Sequence, residues 1–536
     1  MAWLTILLLG SLPVAVGDAL LETLHTYDIE HYDVAARVEE RGVAIRCTLR
    51  LKVLKPGPLR FLISPELEGL EVRRGPEGPL LPAELGAGPL DEVLKRVARG
   101  QAGLPTLLTV GPPGFKAGEQ VDLSLAYRWR PSGAGLAYAS GGGVQTHLSG
   151  FWLPTMGDEL FTASVRVTGD GCYVATGVAD GEGGFRTSSP AQVLCVAGGR
   201  FDVHATEVEG RRYELWSSPD HIPEDPDALL ADLAAVLAQL ESWFGPLERD
   251  RFVLIVEPRP QPSPSYCAQS FVCVHRAALP DARGRQLWLS HLAHECSHLW
   301  FGHRLATPVI GRGGTWLREG LAQWAGIRTA GTLLDEEAER RLWRANVRGY
   351  LGRVDLRRAE REPEVLFANE VTLMDATYLD PPVVPYLRGA LVFRRLEHEV
   401  GPKKFRAALR ALMAESEGRF VTGADLARKL GVEALVHYYA ETTRLPNLEL
   451  SEVKFGTGHA TARITCRDAS WPGGNVPCSI QTDRGEVVIE VRVSHGEGKL
   501  VWTGAGTPTR IQLDPERLHL DVLHLDVLGT PADPHK

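Results

Sequence analysis

The sequence predicts a multidomain α+β protein with an all-β N-terminal domain, a mixed but mainly helical middle and a small C-terminal β-sandwich. Three observations carry that expectation. The chain has 536 residues, more than one hydrophobic core holds at roughly 100–200 residues per domain. The apolar spacing is near two at both ends and shifts to three and four in between. The 56 glycines and 36 prolines are too many for a chain of long helices alone.

From about Leu24 to Ala205 the chain reads as strands. Tyr32 to Val38, Val43 to Val53, Val121 to Trp129 and Thr162 to Thr168 are alternating or β-branched runs bounded by Gly and Pro. Gly133 to Gly143 is Gly-rich but opens no helix, so it is not a phosphate-binding loop. At Asp225-Pro226 the period changes. Leu229, Leu233, Val236, Leu237 and Leu240 recur at helical spacing, with the Asp as cap and the Pro in the first turn. Arg251 to Val256 reads as one buried strand. Helices are expected at Leu287–His303, Glu319–Gly326, Leu334–Tyr350, Gly389–Val400, Lys403–Glu415, Gly423–Leu430 and Val432–Thr442. After Pro446, short strands return at Leu448–Lys454, Ala460–Cys466, Glu486–Ser494 and Thr509–Leu513. The expected domains are therefore 18–205, 206–445 and 446–536, preceded by a segment at 1–17.

That segment, MAWLTILLLGSLPVAVG, carries no charged side chain and is too short for a comfortable membrane span. Ala15 and Gly17 suit a signal-peptidase site before Asp18, which points to a secreted, periplasmic or otherwise extracytoplasmic protein. An uncleaved anchor and a buried N-terminal segment are the alternatives. No other stretch reads as a membrane span. In an oxidising compartment the eight cysteines invite pairing. Cys466 with Cys478, Cys172 with Cys195 and Cys267 with Cys273 have suitable spacings, and buried thiols are the alternative for all.

Charge excludes one class of partner. With 58 Lys+Arg against 67 Asp+Glu the formal net charge is -9, the wrong sign for a nucleic-acid binder.

The residues that carry chemistry lie in His291-Leu-Ala-His294-Glu295-Cys296-Ser297-His298-Leu-Trp-Phe-Gly302. His294 and His298 are four apart on an expected helix, so both imidazoles leave one face. Two such nitrogens can reach one tetrahedral ion at about 2.0–2.1 Å each. Glu295 lies about 100° round the helix from His294, beside the metal rather than on it. Cys296 points about 160° away from His298, so it reads as packing. His291 and His303 read as flanking groups. Trp316-Leu-Arg-Glu319-Gly320 offers a further carboxylate close downstream. Buried acids and imidazoles without a cation would be costly to keep.

With these motifs the chain resembles the aminopeptidase N and leukotriene hydrolase family of gluzincin zinc metallopeptidases. That family's signature is HExxH followed by WFG, then a third ligand in a WLNEG-like segment. Residues 299 to 318 separate His298 from Glu319, two more than the family usually has. The resemblance implies a thermolysin-like catalytic domain binding one Zn²⁺ through His294, His298 and Glu319, with Glu295 as general base. Pro385-Tyr386-Leu-Arg388-Gly389 matches the family's YxKG segment with Arg for Lys, which makes Tyr386 the oxyanion stabiliser. Tyr378 has no such match.

The substrate implied is a peptide, cut in an aminopeptidase-like way. The family holds a substrate's free amine with acidic residues. Here Gln269 in Ser265 to Phe271, and Gln145 beside Thr146 and His147, stand near those positions. A glutamine accepts a hydrogen bond but brings no charge to an ammonium group. The alternatives are therefore a zinc-binding relative whose activity has lapsed, or one altered toward endopeptidase or epoxide hydrolase chemistry.

Overall fold

The computed structural model describes residues 25–86, 105–131, 138–140, 143–146, 151–181, 183–257, 265–309, 313–351, 372–376 and 383–519. The expected signal segment, His147 and Tyr378 lie outside the described residues. The N-terminal part is built on a seven-stranded sheet. Its long strands β1 (Tyr27–Glu39), β2 (Gly42–Val53) and β3 (Gln120–Trp129) pair antiparallel, while β4 (Thr162–Thr168) runs parallel to β1. Alternation along β3, and along β1 on either side of a bulge between Ile29 and His31, puts every second side chain into one core. Tyr27, Val34, Leu49, Leu123 and Trp129 meet there.

The middle begins with a five-stranded mixed sheet. Its edge strand β5 (Asp202–Val208) spans the boundary expected at residue 205. β6 (Arg211–Ser217), β7 (Arg251–Glu257) and β9 (Phe271–His275) run parallel, and the short β8 (Tyr266–Cys267) closes the far edge antiparallel to β9. The unbroken apolar run of β7 has a direct cause, because this sheet is covered on both faces. Phe252, Leu254 and Val256 pack under the helices, whereas Val253 and Ile255 join the N-terminal core.

Five helices matter for the site. α1 (Pro226–Phe244) starts where expected, its Asp225 cap accepting the Ala228 N–H. α2 (Arg285–Ser297) and α3 (Gly314–Leu333) carry the motif residues. α4 (Glu336–Leu351) follows, and α5 (Gly389–Val400) is entered through a π-helical turn at Val383–Arg388. α2 ends six residues before the expected His303, because Leu299 and Trp300 turn back to Cys296 O and Ser297 O in the tighter 3₁₀ pattern. α3 is longer at both ends than the segment read from the sequence.

The C-terminal part is two three-stranded sheets whose inner faces continue the core of the helices. Two strands there escaped the sequence reading, Gly474–Thr482 and Glu497–Thr503. The first is the central strand of its sheet although it contains Pro477, a residue that usually argues against a central strand.

None of the three cysteine pairings forms, and all eight cysteines are thiols. Cys466 and Cys478 belong to different sheets. Tyr266 pairs with Cys273 and Cys267 with Val272, so Cys267 and Cys273 leave opposite faces of the β8–β9 ladder. Cys172 pairs with Gly199, while Cys195 lies at the other end of that ladder beside Thr176. Among the described residues no helix is long and apolar enough to cross a membrane.

Candidate metal centre

α2 is buried along most of its length, with Leu292, Ala293 and Cys296 fully enclosed. His294 and Glu295 are buried with it. His298 caps the helix at φ -61° and ψ -19°, close enough to helical values to keep its ring on the His294 side. The two imidazole centroids lie 5.1 Å apart and nearly perpendicular. His298 Nδ1 is 3.0 Å from Phe301 O. A proton held there leaves Nε2 as the lone-pair nitrogen, the tautomer a metal ligand needs.

Glu319 arrives from α3. Its Oε2 is 3.5 Å from His294 Nε2 and 3.5 Å from His298 Nε2. One potential ligand atom from each of the three residues lies within 4.8 Å of the others. An ion bound tetrahedrally at about 2.1 Å gives ligand–ligand edges of about 3.4 Å. The donor set of two imidazoles and one carboxylate is that of an open, catalytic zinc site. His294 Nδ1 is buried with no hydrogen-bond partner among the described residues. These residues fit a zinc ion.

The electrostatics of the group agree. Burial opposes ionisation of Glu319, yet His298 and His294 outweigh it and hold the carboxyl well below its usual range. Burial also opposes charge on His298, but the Glu319 carboxylate reverses this and the net shift is upward. Glu295 moves the other way: burial, with a contribution from Glu319, raises it against the pull of the two histidines. A carboxyl poised above its ordinary range beside a metal position suits proton transfer.

Three glycines bring the helices together. A Cβ on Gly326 of α3 would lie 2.5 Å from Ser290 O and 3.2 Å from His294 Cβ, so α3 meets α2 at this point backbone to backbone. A Cβ on Gly320 would lie 2.9 Å from Gly389 Cα. The glycine after Glu319 and the glycine that opens α5 are thus one contact, and it brings the tyrosine motif to His294, His298 and Glu319. Trp316 stacks on Phe393 beside it, 4.9 Å between ring centroids. The Tyr386 ring then lies nearly parallel to His294, 5.9 Å away. The π-turn that presents it is fixed by Asn346, which donates to Leu387 O, and by buried Arg388, which donates to Tyr439 O and Thr442 O.

Residues 273–442 match the profile described as the peptidase family M1 domain. The chain carries an M1 peptidase domain. That match supports a zinc metallopeptidase. No curated protein sequence matches the chain. Among solved structures, a variant of an M1 zinc metallopeptidase from Deinococcus radiodurans superposes with a TM-score of 0.54 at 17% identity, covering 79% of this chain and 96% of that one. Aminopeptidase A from Legionella pneumophila, solved with aspartic acid, gives a TM-score of 0.67 at 14% identity over 92% of this chain. The match spans 59% of the Legionella protein's length. At these identities the likeness is one of fold: a β-rich start, a helical M1 region and terminal β strands.

Around the M1 centre, the remaining sequence candidates separate. His291 Nε2 meets Ser265 Oγ at 2.7 Å and lies 3.9 Å from Glu295 Oε1, so it borders the site. His303 lies against Cys267 O, and burial pushes its imidazole down to about 3, so it is neutral. Cys296 is fully enclosed, and burial raises its thiol; it packs, as its helical angle indicates. Gln269 is buried between β8 and β9, and its Oε1 has no hydrogen-bond partner among the described residues. Gln145 is buried as well and points its amide at Cys273 Sγ, 3.7 Å away. The sequence reading missed Asn346, Gly326 and the positional roles of Gly320, Gly389 and Arg388. Only the RG and EG steps of the two motifs hinted at them.

Proposed function

We propose that this M1 domain hydrolyses peptide bonds in an aminopeptidase-like way, with one zinc ion held by His294, His298 and Glu319. The observation that carries the reading is the shared 3.5 Å approach of both imidazole Nε2 atoms to one oxygen of Glu319. When bound there, zinc lowers the pKa of a coordinated water toward about 7 and polarises the scissile carbonyl. Glu295 takes the proton from the attacking water and returns it to the leaving amine. The Tyr386 hydroxyl donates to the oxygen that gains charge in the transition state. Zinc stoichiometry, measured with hydrolysis of aminoacyl and peptide amides, tests the reading. Protein without stoichiometric metal would overturn it.

A second reading is favoured by Gln269 and Gln145. Both glutamines are buried and neutral, so neither brings a charge to a substrate ammonium. On this reading the site has drifted toward substrates without a free amine, endopeptidase-like or epoxide-type, or its activity has lapsed. N-acetylated peptides discriminate: cleavage at rates equal to free-amine peptides supports the drifted site. Strong preference for free amines supports the first reading.

We also infer an extracytoplasmic destination. With no disulfide to add support, it rests on the apolar run at residues 1–17 alone. Mature protein recovered outside the cytoplasm and beginning near Asp18 would bear it out.

A further inference from the structure

We propose that Gln192 and Arg318 form a positioning pair through which the N-terminal β region holds the Glu319 carboxylate against the two imidazoles. This role presupposes the zinc reading above. Gln192 belongs to the N-terminal region and is 2% exposed. Its Nε2 donates to Thr307 O at 2.6 Å. Arg318, the residue before Glu319 on α3, donates from Nη2 to Gln192 Oε1 and to the same Thr307 O, 2.9 Å away. The three groups close a triangle between the β region, the loop that leaves α2 and the first turns of α3.

Two neighbours tighten this loop. Gly302, at φ +118°, lies under the Arg318 stem, where a Cβ would meet Arg318 Nε at 3.0 Å. Two residues past Thr307, the Val309 N–H donates to Asp158 of the N-terminal region. The loop joining the two metal-binding helices is thus tied at Thr307 and Val309 to residues from outside the M1 match. Gln192 and Thr307 are both buried, so water cannot readily replace the bonds they share. Glu319 follows Arg318 on the same helix, so the bonds that anchor Arg318 also anchor the start of the helix that carries the carboxylate. Outer groups that orient metal ligands in this way are worth about 10–100-fold in metal affinity or activity.

The test compares zinc-loaded wild type with Gln192→Leu and Gln192→Glu. The readouts are zinc affinity in competition with a chelator, kcat and KM separately, and circular dichroism. Leu preserves bulk and removes both bonds, so zinc affinity and kcat should fall about 10–100-fold with KM little changed. Glu keeps an acceptor for Arg318 but sets an oxygen against Thr307 O, so it should recover only part of the affinity. A folded Gln192→Leu protein that binds zinc as tightly as wild type overturns the pairing. Should Gln192→Leu not fold, Arg318→Met decides. It keeps the stem over Gly302 and removes the donor, so affinity about 10-fold weaker supports the pairing and unchanged affinity refutes it. Wild-type protein without zinc would instead sink the zinc reading itself, a different result from a tight-binding variant.

Discussion

Two regions of the molecule bury carboxyl groups, and they treat them oppositely. At the metal centre Glu319 faces His294 and His298, which hold it ionised in spite of burial. In the N-terminal region Glu159 is equally buried, but its recorded partners are neutral: Tyr32 Oη at 2.8 Å, Thr155 Oγ1 at 2.6 Å and Met156 N at 3.2 Å. There burial, with a contribution from the neighbouring Asp158, outweighs the three donors, and the carboxyl is pushed up to about 7. The residue type does not decide the charge. The two imidazoles in contact with Glu319 do, and so Glu319 is built to face a cation whereas Glu159 is built for neutral donors.

The largest effect expected from this contrast is at Glu295. Replacing it by Gln keeps size and one acceptor but removes the proton carrier. kcat should fall by about 10²–10⁴-fold while zinc stoichiometry stays at the wild-type value, read by elemental analysis of the same sample. Full activity in that variant would remove Glu295 from the mechanism. Tyr386→Phe should come next. Its ring keeps the parallel packing on His294 and loses only the hydroxyl, so zinc and fold should be unchanged. kcat should drop by about 10²–10³-fold, as for removal of one oxyanion donor. An unaffected kcat would make Tyr386 a packing residue.

Glu159 provides the other half of the contrast. Its folded-state pKa of about 7 lies above its ordinary value of 4.5, so between these the folded state holds a proton that the unfolded chain has released. Stability therefore falls as pH rises from about 4.5 to about 7, by on the order of 3 kcal/mol, and levels off above. Glu159→Gln should remove this part of the slope, seen as urea midpoints at pH 5 and pH 8 that lie closer together than in wild type. A slope unchanged by the substitution would show that Glu159 is ionised throughout.

How much of this was legible before the structure depended on the range of the interaction. His294, Glu295 and His298 are set by spacing along one helix, and Glu319 follows close by, so the motif could be read locally. The end of α2 was misplaced because Leu299, Trp300 and Phe301 stay apolar after the helical bonds have stopped. The strand Gly474–Thr482 was hidden by its own Pro477. Beyond reach entirely was the Gly320–Gly389 contact, since nothing in either segment says that residues so distant in sequence cross. The cysteine pairings failed for the same reason: spacing does not reveal which face of a ladder, or which sheet, a thiol leaves from.

The smallest expected effect lies at Gln269, a buried amide in the turn between β8 and β9. Its buried Oε1 has no partner among the described residues, and it is the place where a carboxylate can be introduced at almost no change in volume. If Gln269 borders the substrate's amino end, Gln269→Glu converts a neutral acceptor into a charged one. A charge-assisted hydrogen bond is worth roughly twice a neutral one, an increment of about 1 kcal/mol over a typical bond. The ratio of kcat/KM for free-amine over N-acetylated peptides should then rise about 5–10-fold, chiefly through KM, because the anchor binds ground state and transition state alike. If Gln269 lies away from the cleft, the new carboxylate gains no ammonium. It then behaves as Glu159 does, protonated by burial and visible only as a stability that falls with rising pH. The two outcomes separate a specificity position from a packing one within a single variant, and an unchanged peptide ratio excludes the first.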